Sequence, residues 1–529
     1  MAKIKKNKAR KQLGIKEWMA YKPYDQPTDY DRDYLDYTRD LIEETLVPLA
    51  KSKFINVFQS PEDFERTAII IASYVEDLKS GIGLWNAFVK KNKELYGVPV
   101  PFVETVKYVE GDVNLADIRY LIWWYFYGVK GVPVDPNSDL ILGLASSMLV
   151  FIQEEWDTLP ETDFYQDYWK QTASDRFAEV YRRLDWLGMK SYLAGQESYK
   201  YVEANLRAMM KDRPDLHENK VAQFRLSLDF VQDYLFRSPT SFAGLSPLEW
   251  MKTIMQAKGE SIEELAESNQ VIGGFFECTG ETDTHFKVKY LGVDEAEELE
   301  ITKAAFLEEG LKMGQKWILK LVRSADEWWV LMPSVELTPD EIANAERVSW
   351  NNQQLPYYMI PKAERQERRE AIRVIEAHFE EYFGGKIKTF DSTEAAQAAY
   401  DAFSESTVTY KGEEVTYHQM VTKAMFGTQS HTIAGPVIFF IPGEGISSLD
   451  GLATVEEKLV QLKYEDIEER KRIFATLFLQ PFPVVLLRDL MERYPDAPWY
   501  LAVPRAETRM DQWAEAFLRF FHPGSFAAQ

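Results

Sequence analysis

The spacing of hydrophobic positions changes once along this chain, within residues 270–335, and is typical of amphipathic helices on both sides of that segment. Inside it, short runs rich in β-branched and aromatic residues alternate with glycines and aspartates that favour turns. The predicted strands are residues 271–279, 284–291, 299–302, 316–323 and 327–332. Five short strands predict a small β-barrel-like module of SH3 or OB size, and this likeness in size carries no function.

Helices are predicted before and after this module. Ser60 precedes Pro61 at a typical helix start, because the serine hydroxyl accepts a hydrogen bond from a free amide and proline fits the first helical position. The same pattern recurs at Ser246 and Thr338, each with a glutamate three residues later. Residues 24–37 alternate aspartates with tyrosines and prolines, which favours an extended arm held to the body by its rings.

The chain has 529 residues, more than one hydrophobic core usually serves, so several domains are expected. We predict a mainly α, multidomain α+β protein with the β-barrel-like module inserted between two helical parts. The predicted units are a basic flexible tail (1–25), a helical domain (26–265), the module (266–336) and a mostly helical C-terminal domain with a minor sheet (337–529). Residues 437–441 are predicted as a buried strand of that minor sheet.

Composition is that of a folded protein, with 46% hydrophobic and 14% aromatic residues. Cys278 is the only cysteine, which excludes an intramolecular disulfide and favours a reducing compartment. The N-terminus lacks the apolar segment of a signal peptide, and the longest apolar stretch, residues 140–152, is shorter than the roughly 20 residues of a membrane span. We therefore expect a cytoplasmic protein with no membrane span.

Charge is distributed unevenly along the chain. Residues 1–16 contain seven Lys or Arg and no acid, and because the whole chain carries −23, the remainder carries −30. Such an acidic body repels phosphate backbones and anionic membranes, so nucleic acid is not expected as a partner except through the basic tail. A solvated, disordered tail and a tail that binds nucleic acid are both open at this point.

No motif in the sequence predicts a metal or a cofactor. The six histidines lack the spacing that places two ligands on one helix face, and zinc prefers cysteines and histidines at close spacing, whereas the chain has one cysteine. The glycines after residues 437–441 resemble a phosphate-binding loop, but Pro442 removes a backbone amide and Glu444 brings the wrong charge. We assign no metal ligand and no cofactor.

Glu76 and Asp77 are the candidate catalytic acids, because they lie near the end of a predicted helix and precede Ser80, Gly81 and Gly83. Carboxylates beside a hydroxyl in a polar pocket suit acid–base catalysis by a hydrolase or transferase. Adjacent helical residues point about 100° apart, however, so the two carboxylates do not face each other by default. The alternative is that these polar groups organise a helix end.

The module contains the candidate binding residues, with Trp328 and Trp329 on one strand and Lys316 and Arg323 on another. Aromatic and basic side chains together can grip a peptide or stack bases. Residues 270–335 carry −5, with seven Lys or Arg against twelve Asp or Glu, which disfavours nucleic acid. Successive strand residues point to opposite faces, so we expect one tryptophan in the core and the other exposed or at a domain contact.

Several motifs stand out between residues 60 and 130. They are Tyr74-Val75-Glu76-Asp77, Ser80-Gly81-Ile82-Gly83-Leu84-Trp85-Asn86-Ala87-Phe88, Leu95-Tyr96-Gly97, Pro101-Phe102 and Asn114-Leu115-Ala116-Asp117-Ile118-Arg119-Tyr120-Leu121-Ile122-Trp123-Trp124. Together they resemble the N-terminal signature of an uncharacterised bacterial family, domain of unknown function 3843. The resemblance implies a bacterial, cytosolic protein and supplies no activity, cofactor or catalytic residue.

These observations favour a non-enzymatic cytosolic protein that binds a protein or peptide or acts as a scaffold, with the module supporting the contact. Two hypotheses from other classes stay open. One is a hydrolase or transferase that uses acidic residues near Glu76 and Asp77. The other is a nucleic-acid-associated factor that acts through the basic N-terminal tail.

Overall fold

The structure, a computed structural model, is mainly helical and contains a mixed β-sheet. It describes residues 13–52, 58, 60–132, 134–170, 177–291, 298–303, 310–325, 327–331, 335–336, 357–360, 362–424, 432–442, 445–463, 466–479, 482–495, 497 and 510–526. The predictions made for residues 1–12 and for a helix start at Thr338 lie outside this set. Over the described residues, no helix combines the length and the apolar character needed to cross a membrane.

The N-terminal part is built from twelve described α-helices. They are α1 Ile15–Met19, α2 Asp29–Asp40, α3 Val47–Ser52, α4 Pro61–Lys79, α5 Leu84–Tyr96, α6 Leu115–Trp124, α7 Asp139–Glu155, α8 Phe164–Tyr168, α9 Phe177–Asp185, α10 Gly195–Asp212, α11 Lys220–Phe236 and α12 Pro247–Ala257. Helices α4 and α12 begin at the predicted prolines. The backbone N–H of Ser60 donates to Asp63 at 2.9 Å, and the Ser246 hydroxyl accepts from the N–H of Glu249 at 3.3 Å.

The prediction of an extended arm over residues 24–37 is wrong, because most of this segment lies in helix α2. Thr28 and Asp31 form a capping box that satisfies the free amides of the first turn. The tyrosines then fall on a buried helix face, with Tyr34 and Tyr37 both in the main core. The local cap and the buried aromatic face together stabilise this helix more than its many aspartates disfavour it.

Residues 13–25, which the sequence analysis placed in a flexible tail, are packed on the body. Helix α1 buries Trp18 completely, and Lys22 is also buried. The ring of Trp18 lies parallel to that of Tyr34, with centroids 6.1 Å apart. The aromatic contacts of this segment therefore attach it to α2.

The segment with the changed hydrophobic period forms a six-stranded mixed sheet in the order β1-β2-β3-β5-β4-β6. Its strands are β1 Val271–Glu281, β2 His285–Tyr290, β3 Leu299–Thr302, β4 Lys316–Ser324, β5 Glu327–Val330 and β6 Val335–Glu336. The described pairings are antiparallel except the one between β3 and β5, where Ile301 lies opposite Trp328, and β1 also pairs with β4. Buried side chains such as Phe276 and Leu319 give this sheet its own core, in which the thiol of Cys278 lies.

The C-terminal part combines helices with two small sheets. The helices are α13 Lys362–Phe383, α14 Thr393–Glu405, α15 Tyr417–Ala424, α16 Leu452–Gln461, α17 Ile467–Phe474, α18 Val484–Arg493 and α19 Met510–Phe521, and the strands are β7 Ile387–Thr389, β8 Thr407–Tyr410, β9 Glu413–Thr416, β10 Val437–Ile441 and β11 Gly445–Leu449. Strand β10 occupies the predicted position and lies between β11 and β7. The β8–β9 hairpin stands apart from that sheet.

Strand β10 separates two hydrophobic cores. Val437 and Phe439 point into the main core, which also contains the N-terminal helices, whereas Ile438 and Phe440 point into a second core formed with α13, α14 and α15. Helix α19 returns to the main core as well, where the ring of Phe520 lies 4.8 Å from that of Trp123. The last helices therefore share a core with the N-terminal part.

Candidate functional site

The two candidate carboxylates lie in the last turns of α4, just before the turn of residues 80–83 that leads into α5. Glu76 and Asp77 are each 2% exposed. As adjacent helical residues they point in different directions, and the structure gives them separate sets of partners. They are therefore two neighbouring sites.

Asp77 holds the beginning of helix α5. Its carboxylate accepts hydrogen bonds from the backbone N–H groups of Gly83 at 2.6 Å, Leu84 at 3.2 Å and Trp85 at 2.7 Å. The hydroxyl of Tyr192 donates a fourth hydrogen bond at 2.7 Å. Burial raises the pKa of Asp77, and these four donors oppose that shift. A carboxylate with both oxygens occupied in this way caps a helix and attracts the positive end of its dipole.

Glu76 forms a buried ion pair with Lys22. The hydroxyl of Tyr30 donates to the other oxygen of Glu76 at 3.1 Å and lies 2.9 Å from the hydroxyl of Ser80. The Lys22 amine is also 4.1 Å from the centroid of the Trp18 ring. Burial lowers the pKa of Lys22, and the charge of Glu76 opposes this shift. In this buried position, the attraction between the two charges is the main interaction that offsets their loss of hydration.

The predicted catalytic set is thus only partly brought together. Glu76 and Ser80 meet through Tyr30, while Asp77 faces the start of α5 on its own. The chain segment that carries Lys22 and Tyr30 covers the Glu76 side of the cluster. These groups fasten the N-terminal segment and α5 to α4.

A surface cleft of about 650 Å³ lies elsewhere, along the outer face of α5. Its lining includes Asn86, Lys90, Lys93, Glu94 and Glu110, and neither Glu76 nor Asp77 contributes to it. Lys93 is ion-paired with Glu110 across the cleft. The cleft is therefore polar, close to neutral and separate from the buried carboxylates.

Sequence analysis missed further buried acids of the same kind. Asp117 accepts from the hydroxyl of Tyr74 at 2.6 Å, and burial raises its pKa to about 7. Glu197 accepts from the backbone N–H of Ser241 at 2.9 Å. The signal for Asp117 in the sequence is a single acid in the first turn of the largely apolar helix α6. Among the described residues, no group of three or more His, Cys, Asp or Glu is placed to hold a metal ion.

The two tryptophans of the module point to opposite faces, as their spacing predicts. Trp328 is 5% exposed and lies in the core of the sheet, with the guanidinium of Arg323 5.4 Å from its ring centroid. Trp329 contacts helix α9, where the ring of Phe177 is 5.4 Å away. Lys316 lies at the start of β4, half-buried and opposite Glu277 of β1. The structure therefore spreads the four candidate binding residues over the sheet core, a contact with the helical part and a strand end.

Helices α10 and α11 form a hairpin that projects from the body, and sequence analysis did not single it out. Between residues 199 and 231, Leu216 at the turn is the one buried side chain among those described. Large apolar side chains are exposed along both helices, namely Tyr199 (76%), Phe224 (64%), Val221 (62%) and Met209 (36%). We call residues 199–231 the outer hairpin.

The base of this hairpin is held by the sheet. The amine of Lys320 on β4 contacts the carboxylates of Asp229 at 2.6 Å and Asp233 at 2.9 Å, both on α11. The side-chain amide of Gln232 donates to the carbonyl of Leu331 at 2.7 Å. Lys320 is buried, so this ion-pair cluster fixes the direction in which the outer hairpin leaves the body.

Removing the Lys22 amine leaves the buried Glu76 carboxylate without its cation, so Lys22→Ala is expected to lower the free energy of unfolding by about 3 kcal/mol. Urea denaturation of the full chain measures this loss. Arg32→Ala, which breaks an exposed ion pair with Asp29, is the control and should cost less than about 1 kcal/mol. Equal effects of the two substitutions would contradict the structural role given to Lys22.

Asp117 should make the protein less stable as the pH rises. Its folded pKa of about 7 lies above the value near 3.9 of an unfolded chain, so between these values the folded state holds a proton that the unfolded state has lost. Its contribution to stability therefore decreases from about pH 4 to about pH 7. Asp117→Asn removes this dependence, and urea denaturation of both proteins across that range should show the wild type losing stability relative to the variant. A difference that is constant with pH would be the contrary result.

Comparison with known proteins gives a family and no activity. No curated protein and no solved structure matches the chain. The family described as Protein of unknown function (DUF3843) matches residues 12–275, a range that contains Glu76, Asp77 and the outer hairpin. Through this match the chain belongs to the family described as Protein of unknown function (DUF3843).

Proposed function

We propose that the protein is a non-enzymatic binding or scaffolding protein and that it contacts a protein partner through the outer hairpin. The observation that carries this proposal is the concentration of exposed apolar side chains on a projecting pair of helices. Four of the thirteen exposed large apolar residues in the described part of the chain lie on it. Single exposed apolar residues are ordinary, but a group on one projection is typical of an interaction site.

The outer hairpin also contains apolar residues that no core absorbs. Val202, Leu206, Met210, Leu226 and Leu228 are half-buried, and none belongs to the three described hydrophobic cores. Two helices that pack mainly on each other bury only part of their apolar surface. A partner helix or helix pair laid against them would cover the rest.

In this proposal the module holds the hairpin in place and thereby acts as its mounting. The ion pairs of Lys320 with Asp229 and Asp233 attach the base of α11 to β4, and the hydrogen bond from Gln232 to Leu331 attaches it to the chain after β5. We propose that the module is barrel-like, because β1 pairs with β4 and β3 pairs with β5, so that the last strands return towards the first one. In this proposal Trp328 and Trp329 stabilise the mounting and do not touch the partner.

The hydrolase or transferase hypothesis receives less support. Asp77 has four hydrogen-bond donors within the chain, and Glu76 is paired with a buried lysine. A catalytic carboxylate needs access to substrate, whereas both of these are 2% exposed.

The nucleic-acid hypothesis rests on a basic tail of which residues 1–12 lie outside the described residues. No described contact favours it, and the acidic body disfavours it. A cytoplasmic, bacterial setting completes the proposal, supported by the single thiol of Cys278 and by the resemblance of the N-terminal motifs.

Photocrosslinking in cells that make the protein tests the proposed contact. With benzoylphenylalanine in place of Tyr199, irradiation should produce a crosslinked adduct, and Phe224→Asp on the same chain should abolish it. The control is the same photoreactive residue in place of Val460, which is 67% exposed on α16 and should give no adduct. Adducts of equal yield from both positions, or none from either, would contradict a binding site on the outer hairpin.

A further inference from the structure

We infer that the partner of the outer hairpin is a second copy of this chain, so that two hairpins pair about a two-fold axis into a four-helix arrangement. This inference rests on the proposed function, since it names the occupant of the surface proposed there. Three features support a second copy as the partner: the local balance of charge, the geometry of the hairpin and the area of its exposed face.

Charge on the outer hairpin is balanced within a strongly acidic protein. Residues 199–231 contain six Lys or Arg and five Asp or Glu, a net charge of +1, so the rest of the chain carries −24. Two copies repel each other most strongly where their acidic bodies approach, and this repulsion is weaker at the hairpin. The outer hairpin is therefore a region where two copies can meet at little electrostatic cost.

The same balance argues against other occupants. A strongly basic partner is attracted to the acidic body more than to the hairpin, and a strongly acidic partner is repelled by that body without a basic patch to hold it. The complementary surface must be apolar, with mixed charge and little net charge. The outer hairpin of a second copy is such a surface.

Geometry permits a self-complementary contact. The hairpin is antiparallel, and Met209, Val221 and Phe224 lie within about two helical turns of its tip, on both helices. Rotation by 180° places the same surface patch of two copies face to face, as an isologous interface requires. Apolar stripes at helical spacing, such as Tyr199, Val202 and Leu206 on α10, suit the core of a four-helix bundle.

The available area predicts a weak, reversible dimer. The outer parts of α10 and α11 are about 21 Å and about 18 Å long, and two packed helices are about 20 Å wide. One face of this pair offers about 400 Å², which is half of the roughly 800 Å² that each partner buries in a standard interface. We therefore expect a dissociation constant in the micromolar range.

Sedimentation velocity of the full chain over a range of concentrations tests the inference. The wild type should change from monomer to dimer in the micromolar range, and added salt should favour the dimer because it screens the repulsion between the acidic bodies. Phe224→Asp should weaken dimerisation about tenfold or more by placing charge in an apolar contact. Val460→Asp, at an exposed apolar residue on α16, should leave it unchanged, and both variants should keep the melting temperature of the wild type.

Two results would overturn the inference: a wild type that stays monomeric throughout this range, or a dimer that Phe224→Asp leaves intact. The photocrosslinking experiment separates this failure from failure of the proposed function. An adduct of twice the chain mass from position 199 supports a second copy. An adduct with a different protein, together with a monomeric wild type, keeps the binding site and rejects self-association.

Discussion

Burial of aromatic side chains is the constraint on which the rest of this structure depends. Tyrosine and tryptophan carry polar atoms into the core, where a polar atom without a hydrogen bond costs free energy. Tyr192 meets Asp77 and Tyr74 meets Asp117, so that buried carboxylates serve as acceptors for buried hydroxyls. The acids that look catalytic in the sequence are thereby tied into the packing of α4, α5 and α6. Both oxygens of Asp77 and both oxygens of Glu76 are engaged by groups of the chain itself.

The outer hairpin differs from the body, because it leaves large apolar side chains exposed. Tyr201 and Val231 near its base pack against the main core, whereas Tyr199, Val221 and Phe224 are exposed to solvent. Its base is fixed by the ion pairs of Lys320 with Asp229 and Asp233. A helical hairpin with a rigid base loses less conformational entropy on binding than a loop does, so it presents a contact surface at a lower free-energy cost. The proposed function follows from this contrast between a body that buries its aromatic side chains and a projection that leaves apolar side chains exposed.

Local signals were sufficient for much of the fold. Helix starts at Pro61 and Pro247 could be predicted because a cap depends on a few adjacent residues, and the strand at residues 437–441 because it is a short, continuous apolar run. The site could not be predicted in the same way. The partner of Glu76 is Lys22, 54 positions earlier in the chain, and no spacing rule reveals such a pair. The exposure of Phe224 likewise depends on how far α11 projects beyond the sheet. The spacing of hydrophobic residues along the helix does not predict that distance.

The most direct test of the account is hydrogen–deuterium exchange of the full chain at low and high protein concentration. If the outer hairpin is the contact surface, backbone amides in residues 199–231 exchange more slowly at high concentration while those around Glu76 and Asp77 stay equally protected. Protection that rises instead around the cleft of α5, or exchange that is the same at every concentration, would contradict the claim that this projection is where copies of the protein meet.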